Sequence, residues 1–197
     1  MACRVCRRRR GFCSAMALAV IASAPAAVAS LPCCSERWQQ HIIDASREFD
    51  VDRSLVAATI HAESACDTRV DRGDHGEVGP AQITDVAAED LYRLELVEDV
   101  DRETRDGSAR AAAAFLMLSE RRTECEGTEF TASAWNGGHS HINRESRIAG
   151  SCRWSDVEKV STPRRSEKMH EINRQHVERV MRLKGRYEQC LQESVRR

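Results

Sequence analysis

Apolar positions fall into a helical rhythm along most of the chain. Trp38, Ile42, Ala45 and Phe49 step by four, three and four residues, which places them on one face of a first helix. Asp52 is suited to cap a second helix, on which Leu55, Val56 and Ile60 share a side and which runs to Glu63. Residues 66–82 are rich in Asp and Gly and read as a loop with several turns. A third helix is predicted from Ile83 to Leu94. A fourth runs from about Ser108 to Arg121, with Ala112, Phe115, Leu116 and Met117 on its core face. Phe130 to Trp135 reads as a short helix stopped by Asn136-Gly137-Gly138. The stretch 139–163 reads as irregular. Met169, Ile172, Val180, Leu183 and Tyr187 then fall at helical spacing on a long closing helix. Strand-like alternation is nearly absent, so the pattern predicts a single, mostly α-helical domain.

The first 29 residues follow another pattern. Arg4 and Arg7 to Arg10 make a basic start, Phe12 to Ala22 is largely apolar, and Ala27-Val28-Ala29 offers a small-x-small cleavage site. That layout predicts a secretory signal peptide over 1–29 and a mature domain over 30–197. Ser23 and Pro25 interrupt the apolar run before it reaches the roughly 20 residues of a membrane anchor, so no membrane span is expected after cleavage. Arg9-Arg10-Gly11-Phe12 also fits a twin-arginine core, although a run of four arginines produces that match easily.

Removing the leader changes the charge. The whole chain has 30 basic and 31 acidic side chains, and the leader holds five arginines and no acids. The mature chain is left with 25 against 31, a formal net of −6, which gives no support for nucleic-acid binding. Of nine cysteines, six remain: Cys33, Cys34, Cys66, Cys125, Cys152 and Cys190. An even number in an exported chain predicts up to three disulfides. Cys125 with Cys152 is the expected pair, because these two flank the Asn136 segment and could fix it. No Cys-x-x-Cys occurs in the mature part, and His139 and His141 lack carboxylates or cysteines at ligand spacing. Neither a metal nor any other cofactor is expected.

Three short segments carry chemistry: Ile60-His61-Ala62-Glu63-Ser64, Gly76-Glu77-Val78-Gly79-Pro80-Ala81-Gln82 and Ala134-Trp135-Asn136-Gly137-Gly138. The first sets a carboxyl at the end of an apolar helix. Burial against apolar surface disfavours the ionised form, so such a group can stay protonated near neutral pH and act as a glycosidic general acid. The second is glycine-spaced backbone ending in an amide, able to line a cleft and bond a sugar. The third ends a helix with an indole and a carboxamide, suited to stacking on sugar and hydrogen-bonding it. Each residue also has a plainer reading. Ser64 can simply brace the helix end, Gln82 can be a loop amide, Asn136-Gly137-Gly138 can be only a helix stop, and Trp135 fits the core as well as the cleft.

In order and spacing these segments resemble the soluble lytic transglycosylase domain, a relative of goose-type lysozyme. Glu63-Ser64 matches its Glu-Ser pair closing a helix. Gly76, Gly79 and Gln82 match its Gly-x-x-Gly-x-x-Gln loop, and Ala134, Asn136 and Gly138 match its Ala-Tyr-Asn-x-Gly segment. The resemblance spans roughly residues 36–190 and implies a lysozyme-like helical fold acting on peptidoglycan glycan strands. It further implies Glu63 as the catalytic residue, with Ser64, Gly79, Gln82, Trp135 and Asn136 binding substrate. In the implied reaction Glu63 protonates the oxygen joining N-acetylmuramic acid to N-acetylglucosamine. It then deprotonates the muramic C6 hydroxyl, which closes a 1,6-anhydro ring, so one carboxyl serves both steps. Trp135 stands where the family has Tyr, Phe115 falls where Tyr-Leu is common, Gly73 replaces a frequent Ser, and His176 occupies the Tyr of a Tyr-Val step. Lost hydroxyls imply weaker sugar positioning rather than another reaction class.

Two alternatives stand beside this enzyme. A hydrolytic lysozyme would use a second carboxylate, about 5–9.5 Å from the first, and Asp67, Asp71, Asp74 and Glu77 all follow Glu63 closely. A non-catalytic peptidoglycan-binding or scaffold protein could use the same fold, but a retired site has no reason to keep its acid. An exported chain of this size, periplasmic or secreted and without a separate wall-binding module, fits local opening of the wall for a secretion or conjugation apparatus.

Overall fold

The structure, a computed structural model, describes residues 31–98, 101–162 and 166–193. The predicted leader lies outside them. A 3₁₀ turn over Pro32–Cys34 leads into α1 (Glu36–Phe49), α2 (Arg53–Ser64), α3 (Asp85–Arg93), α4 (Arg105–Arg122), α5 (Thr128–Gly137), α6 (His139–Ala149), α7 (Trp154–Val157) and α8 (Glu167–Glu193). Among the described residues the only extended pairing is an isolated bridge between Val78 and Ile83 inside the loop region.

Local chemistry sets the helix ends. Asp52 caps α2, its carboxylate accepting from the Ser54 N–H at 2.8 Å. Thr84 and Thr104 do the same for α3 and α4, accepting from the N–H of Ala87 and Gly107. Gly138, at φ +82°, breaks the backbone between α5 and α6 in a conformation that side chains with a Cβ disfavour.

Helix α4 forms the centre of the core. Ala109, Ala111 to Ala114 and Leu116 are all buried, which only small side chains allow where other helices press on several sides. α1 packs against α4, while α8 lies across α2 and α5. Ile42, Ile60, Leu91, Val177, Val180 and Leu191 join the same core. A smaller cluster of Phe130, Ala134, Ile142 and Val157 binds α5 to α6 and α7.

Among the described residues three disulfides close the structure: Cys33 with Cys66, Cys34 with Cys190, and Cys125 with Cys152. The last is the pair expected from the flanks of the Asn136 segment. The adjacent Cys33 and Cys34 tie the N-terminal turn both to the exit of α2 and to the end of α8.

Two expectations are corrected. Residues 139–163 are not irregular throughout, since α6 and α7 occupy much of the stretch. The buried residues of α6 are Ile142, Glu145 and Ser146, so its inward face is mostly polar and leaves no apolar period to detect. On α8, Met169 and Ile172 are 47% and 40% exposed, and the early part of the helix instead buries Asn173 and His176.

Candidate active site

Glu63 is the penultimate residue of α2 and is 22% exposed at its side chain. Past Ser64 the chain turns out of the helix through Ala65 and Cys66, both left-handed, with φ of 54° and 63°. This exit is pinned. Cys66 is bridged to Cys33, and its carbonyl accepts from Trp38 Nε1 at 3.0 Å. The helix end therefore sits in a fixed place, and Glu63 with it.

Across from Glu63 stands Trp135 of α5, whose Nε1 donates to Glu63 Oε1 at 2.8 Å. The indole is held edge-on against Phe115 of α4, with ring centroids 5.3 Å apart. Trp135 is thus both packed against the core and in contact with the acid. Helix α8 forms the third side. His176 Nδ1 lies 3.9 Å from Glu63 Oε1, and Arg179 donates to the Ala62 carbonyl at 3.3 Å.

Burial pushes the Glu63 carboxyl up to about 7, against the indole N–H and the positive charge of Arg179, with the negative charge of Glu77 adding to the rise. The carboxyl is consequently poised between proton donor and proton acceptor near neutral pH. His176 moves the other way: burial first, then Arg179, push it down to about 4, so its ring is neutral there.

The other residues singled out in the sequence take distinct positions. Ser64 turns its hydroxyl back onto the Ile60 carbonyl at 3.3 Å and braces the end of α2. Gln82, at φ 49°, folds its amide onto the Gly79 carbonyl at 2.9 Å, closing the Gly79–Gln82 turn. Gly79 has φ +67°, and a Cβ there would collide with the Arg102 carbonyl, so only glycine fits. An open hollow lined by Thr68, Val70, Val78, Gly79 and Glu103 lies beside this turn, and Glu63 does not line it. Asn136 donates to Asn173 Oδ1 at 3.0 Å, and the buried Asn173 donates on to Ser133 at 2.6 Å. Glu63 and Trp135 are in direct contact, whereas Ser64, the Gly79–Gln82 turn and Asn136 are bonded to their own supports.

Asn173 and Arg179 escaped the reading of the sequence as site residues, whereas His176 was singled out as standing at the family's Tyr of a Tyr-Val step. Their spacing of three and three puts them on one stripe of α8. That stripe was the available signal, hidden by the stronger apolar series that includes Met169 and Ile172.

The model of the transglycosylase SLT domain matches residues 40–154, more than half of the chain. The chain belongs to this family. The matched segment runs from α1 to the first residue of α7 and contains Glu63, the Gly79–Gln82 turn, Trp135 and Asn136, so the helical fold is that of a lysozyme-like SLT domain. The family is of the lytic transglycosylase type and works on peptidoglycan. Among curated proteins no match to the chain was found. Among the described residues no helix is long and apolar enough to cross a membrane.

Proposed function

We propose that the protein is a peptidoglycan lytic transglycosylase that cleaves the β-1,4 bond between N-acetylmuramic acid and N-acetylglucosamine, with Glu63 as its one acid–base residue. The observation that carries this reading is the Glu63 carboxyl, pushed up to about 7 by burial and fixed by the Trp135 indole. Protonated, it hands its proton to the glycosidic oxygen as that bond breaks. As a carboxylate it takes the proton of the C6 hydroxyl while that oxygen bonds to C1, so the product is a 1,6-anhydro sugar and Glu63 returns to its starting state. No water enters and no second acid is used. The Gly79–Gln82 turn, Trp135 and Asn136 line the path of the sugar, and Ser64 serves by holding the helix end.

The place of action is the periplasm or the cell exterior, with residues 1–29 as the export signal. Three disulfides support an oxidising compartment. The work we assign there is local opening of the wall for a secretion or conjugation apparatus.

Glu63→Gln tests the assignment. The amide keeps the size of the carboxyl but delivers no proton, so strand cleavage should fall by about 10²–10⁴-fold with the fold intact. Asp67→Asn and Asp74→Asn should stay within roughly 3-fold of the parent, as surface changes away from the chemistry do. Dye release from labelled peptidoglycan reads all three. Undiminished cleavage by Glu63→Gln would refute the assignment, and a collapse with either Asp variant would favour a two-carboxylate lysozyme.

A further inference from the structure

Helix α8 brings an imidazole to Glu63 at the position where the family resemblance implies a tyrosine. His176 is buried, with its Nδ1 3.9 Å from Glu63 Oε1, and its Nε2 has no hydrogen-bond partner. Together these atoms decide the state of the ring. An imidazolium carries an N–H on both nitrogens, so a charged ring would bury an N–H with nothing to accept it. A neutral ring protonated at Nδ1 avoids that orphaned donor and turns its one N–H toward Oε1. Trp135 Nε1, which can only donate, already donates to that oxygen at 2.8 Å. Oε1 is therefore occupied by the Trp135 donor with the His176 ring 3.9 Å away, and the acidic proton of Glu63 is left to Oε2.

We propose that His176 is a positioning residue for Glu63: as a neutral imidazole it sits beside Oε1, outside hydrogen-bond distance, and leaves the transferable proton on Oε2, and by gaining a proton itself it weakens the site at acid pH. The family match ends at Trp154, so it assigns nothing on α8. The proposal rests on Glu63 being the acid–base residue.

The surroundings of the ring support it. Glu63 faces it from α2, Arg179 stands one turn along α8, and Glu77 of the loop adds its charge at Glu63. From α5 comes the uncharged Trp135. His61, two residues before Glu63 on α2, is bonded to the Tyr187 hydroxyl at 2.6 Å. Burial and Arg179 hold His176 down at about 4, so the ring stays neutral wherever Glu63 keeps its proton near neutral pH. A cation at His176 would do two kinds of harm. It would repel the oxocarbenium-like charge of the reacting sugar. It would also hold the Glu63 carboxylate in an ion pair, leaving a weaker base for the C6 hydroxyl.

The test compares pH–rate profiles of the full mature protein with those of His176→Asn and His176→Phe, using soluble glycan strands and near-ultraviolet circular dichroism to confirm the fold at each pH. Asparagine offers an N–H close to the Nδ1 position and cannot charge, whereas phenylalanine keeps the ring and offers no N–H. At pH 6, His176→Phe should lose roughly 2–3-fold, the low end for a polar contact, and His176→Asn should recover most of it. At pH 3.5 the parent should keep about a quarter of its pH 6 rate, because a group titrating near 4 is then mostly charged, and His176→Asn should keep nearly all of it. Nitrogen-15 NMR of the parent at pH 6 should find a neutral ring protonated at Nδ1. Profiles of the same shape for parent and His176→Asn overturn the proposal while leaving Glu63 in place, and so does a charged or Nε2-protonated ring. A parent inactive at every pH refutes the Glu63 assignment and takes this proposal with it.

Discussion

Glu63 and the carboxylates of the loop behind it, Asp67 and Glu77, stand within 14 positions of one another in the chain, yet they occupy opposite states. Burial against α5 and α8 pushes Glu63 up to about 7. In the loop, the hydrogen bond from Arg69 holds Asp67 below the usual carboxylate range. Glu77 is held low by backbone N–H groups, its own and that of His75. The side-chain types are the same and the surroundings differ. The helix end is largely buried, cross-linked by Cys33–Cys66, and supplies the neutral Trp135 indole as hydrogen-bond donor. The loop is wet and offers cations and N–H groups that reward ionisation. An acid that must give up a proton near neutral pH can be built in the first setting and not in the second.

The largest effect that would sharpen this contrast comes from removing the pin between the two regions. Replacing Cys33 and Cys66 together by alanine opens a link that spans 33 residues. The chain-entropy estimate for such a loop is about 3–4 kcal/mol of stability. Chemical unfolding measures it, and a loss below about 1 kcal/mol would mean the helix end is held by packing alone.

Next in size is the energetic consequence of burying an acid. The folded-state value of Glu63, about 7, lies above the 4.5 of an exposed glutamate. The stability it contributes is therefore present in full below about pH 4.5 and is lost as pH climbs through about 7. At higher pH its ionised form is disfavoured in the fold by about 3 kcal/mol. Glu63→Gln lacks this ionisation, so it should be more stable than the parent at about pH 8 by an amount of that order. The two should converge near pH 4. Equal stability at both pH values would show that Glu63 is hydrated like the loop carboxylates.

The smallest effects are two shifts of opposite sign. Trp135→Phe removes a donor that favours the carboxylate, so the basic limb of the pH–rate profile should move to higher pH. Glu77→Gln removes a like charge, so the limb should move to lower pH. Each displacement should be a few tenths of a pH unit, as expected for one partly exposed neighbour. Movement in the same direction would break the account of what surrounds Glu63.

Much of this site was legible in the sequence because its chemistry is local. Asp52 and the apolar side of α2 place Glu63 at a helix end, and Gly138 ends the helix that carries Trp135 and Asn136. The Cys125–Cys152 bridge could be expected from its flanking positions. The contribution of α8 could not be read in the same way. Apolar periodicity picked out Met169 and Ile172, but they are exposed; the buried Asn173 lies outside that series, and His176 was visible only through the resemblance to the family's Tyr-Val step. α6 escaped for the same reason, since it buries Glu145 and Ser146 beside Ile142. A polar side chain buried for its hydrogen bonds leaves no mark in a hydrophobic pattern. The hydrogen bond from Trp135 to Glu63 was equally hidden, because its partners are 72 residues apart.

The central claim is that one buried carboxyl performs both proton transfers without water. Mass spectrometry of the fragments released from peptidoglycan by the mature protein tests it most directly. Fragments ending in 1,6-anhydro-N-acetylmuramic acid are predicted, each lighter by one water than its hydrolytic counterpart. Active digestion that yields only reducing ends would contradict the claim and point to a second carboxylate activating water.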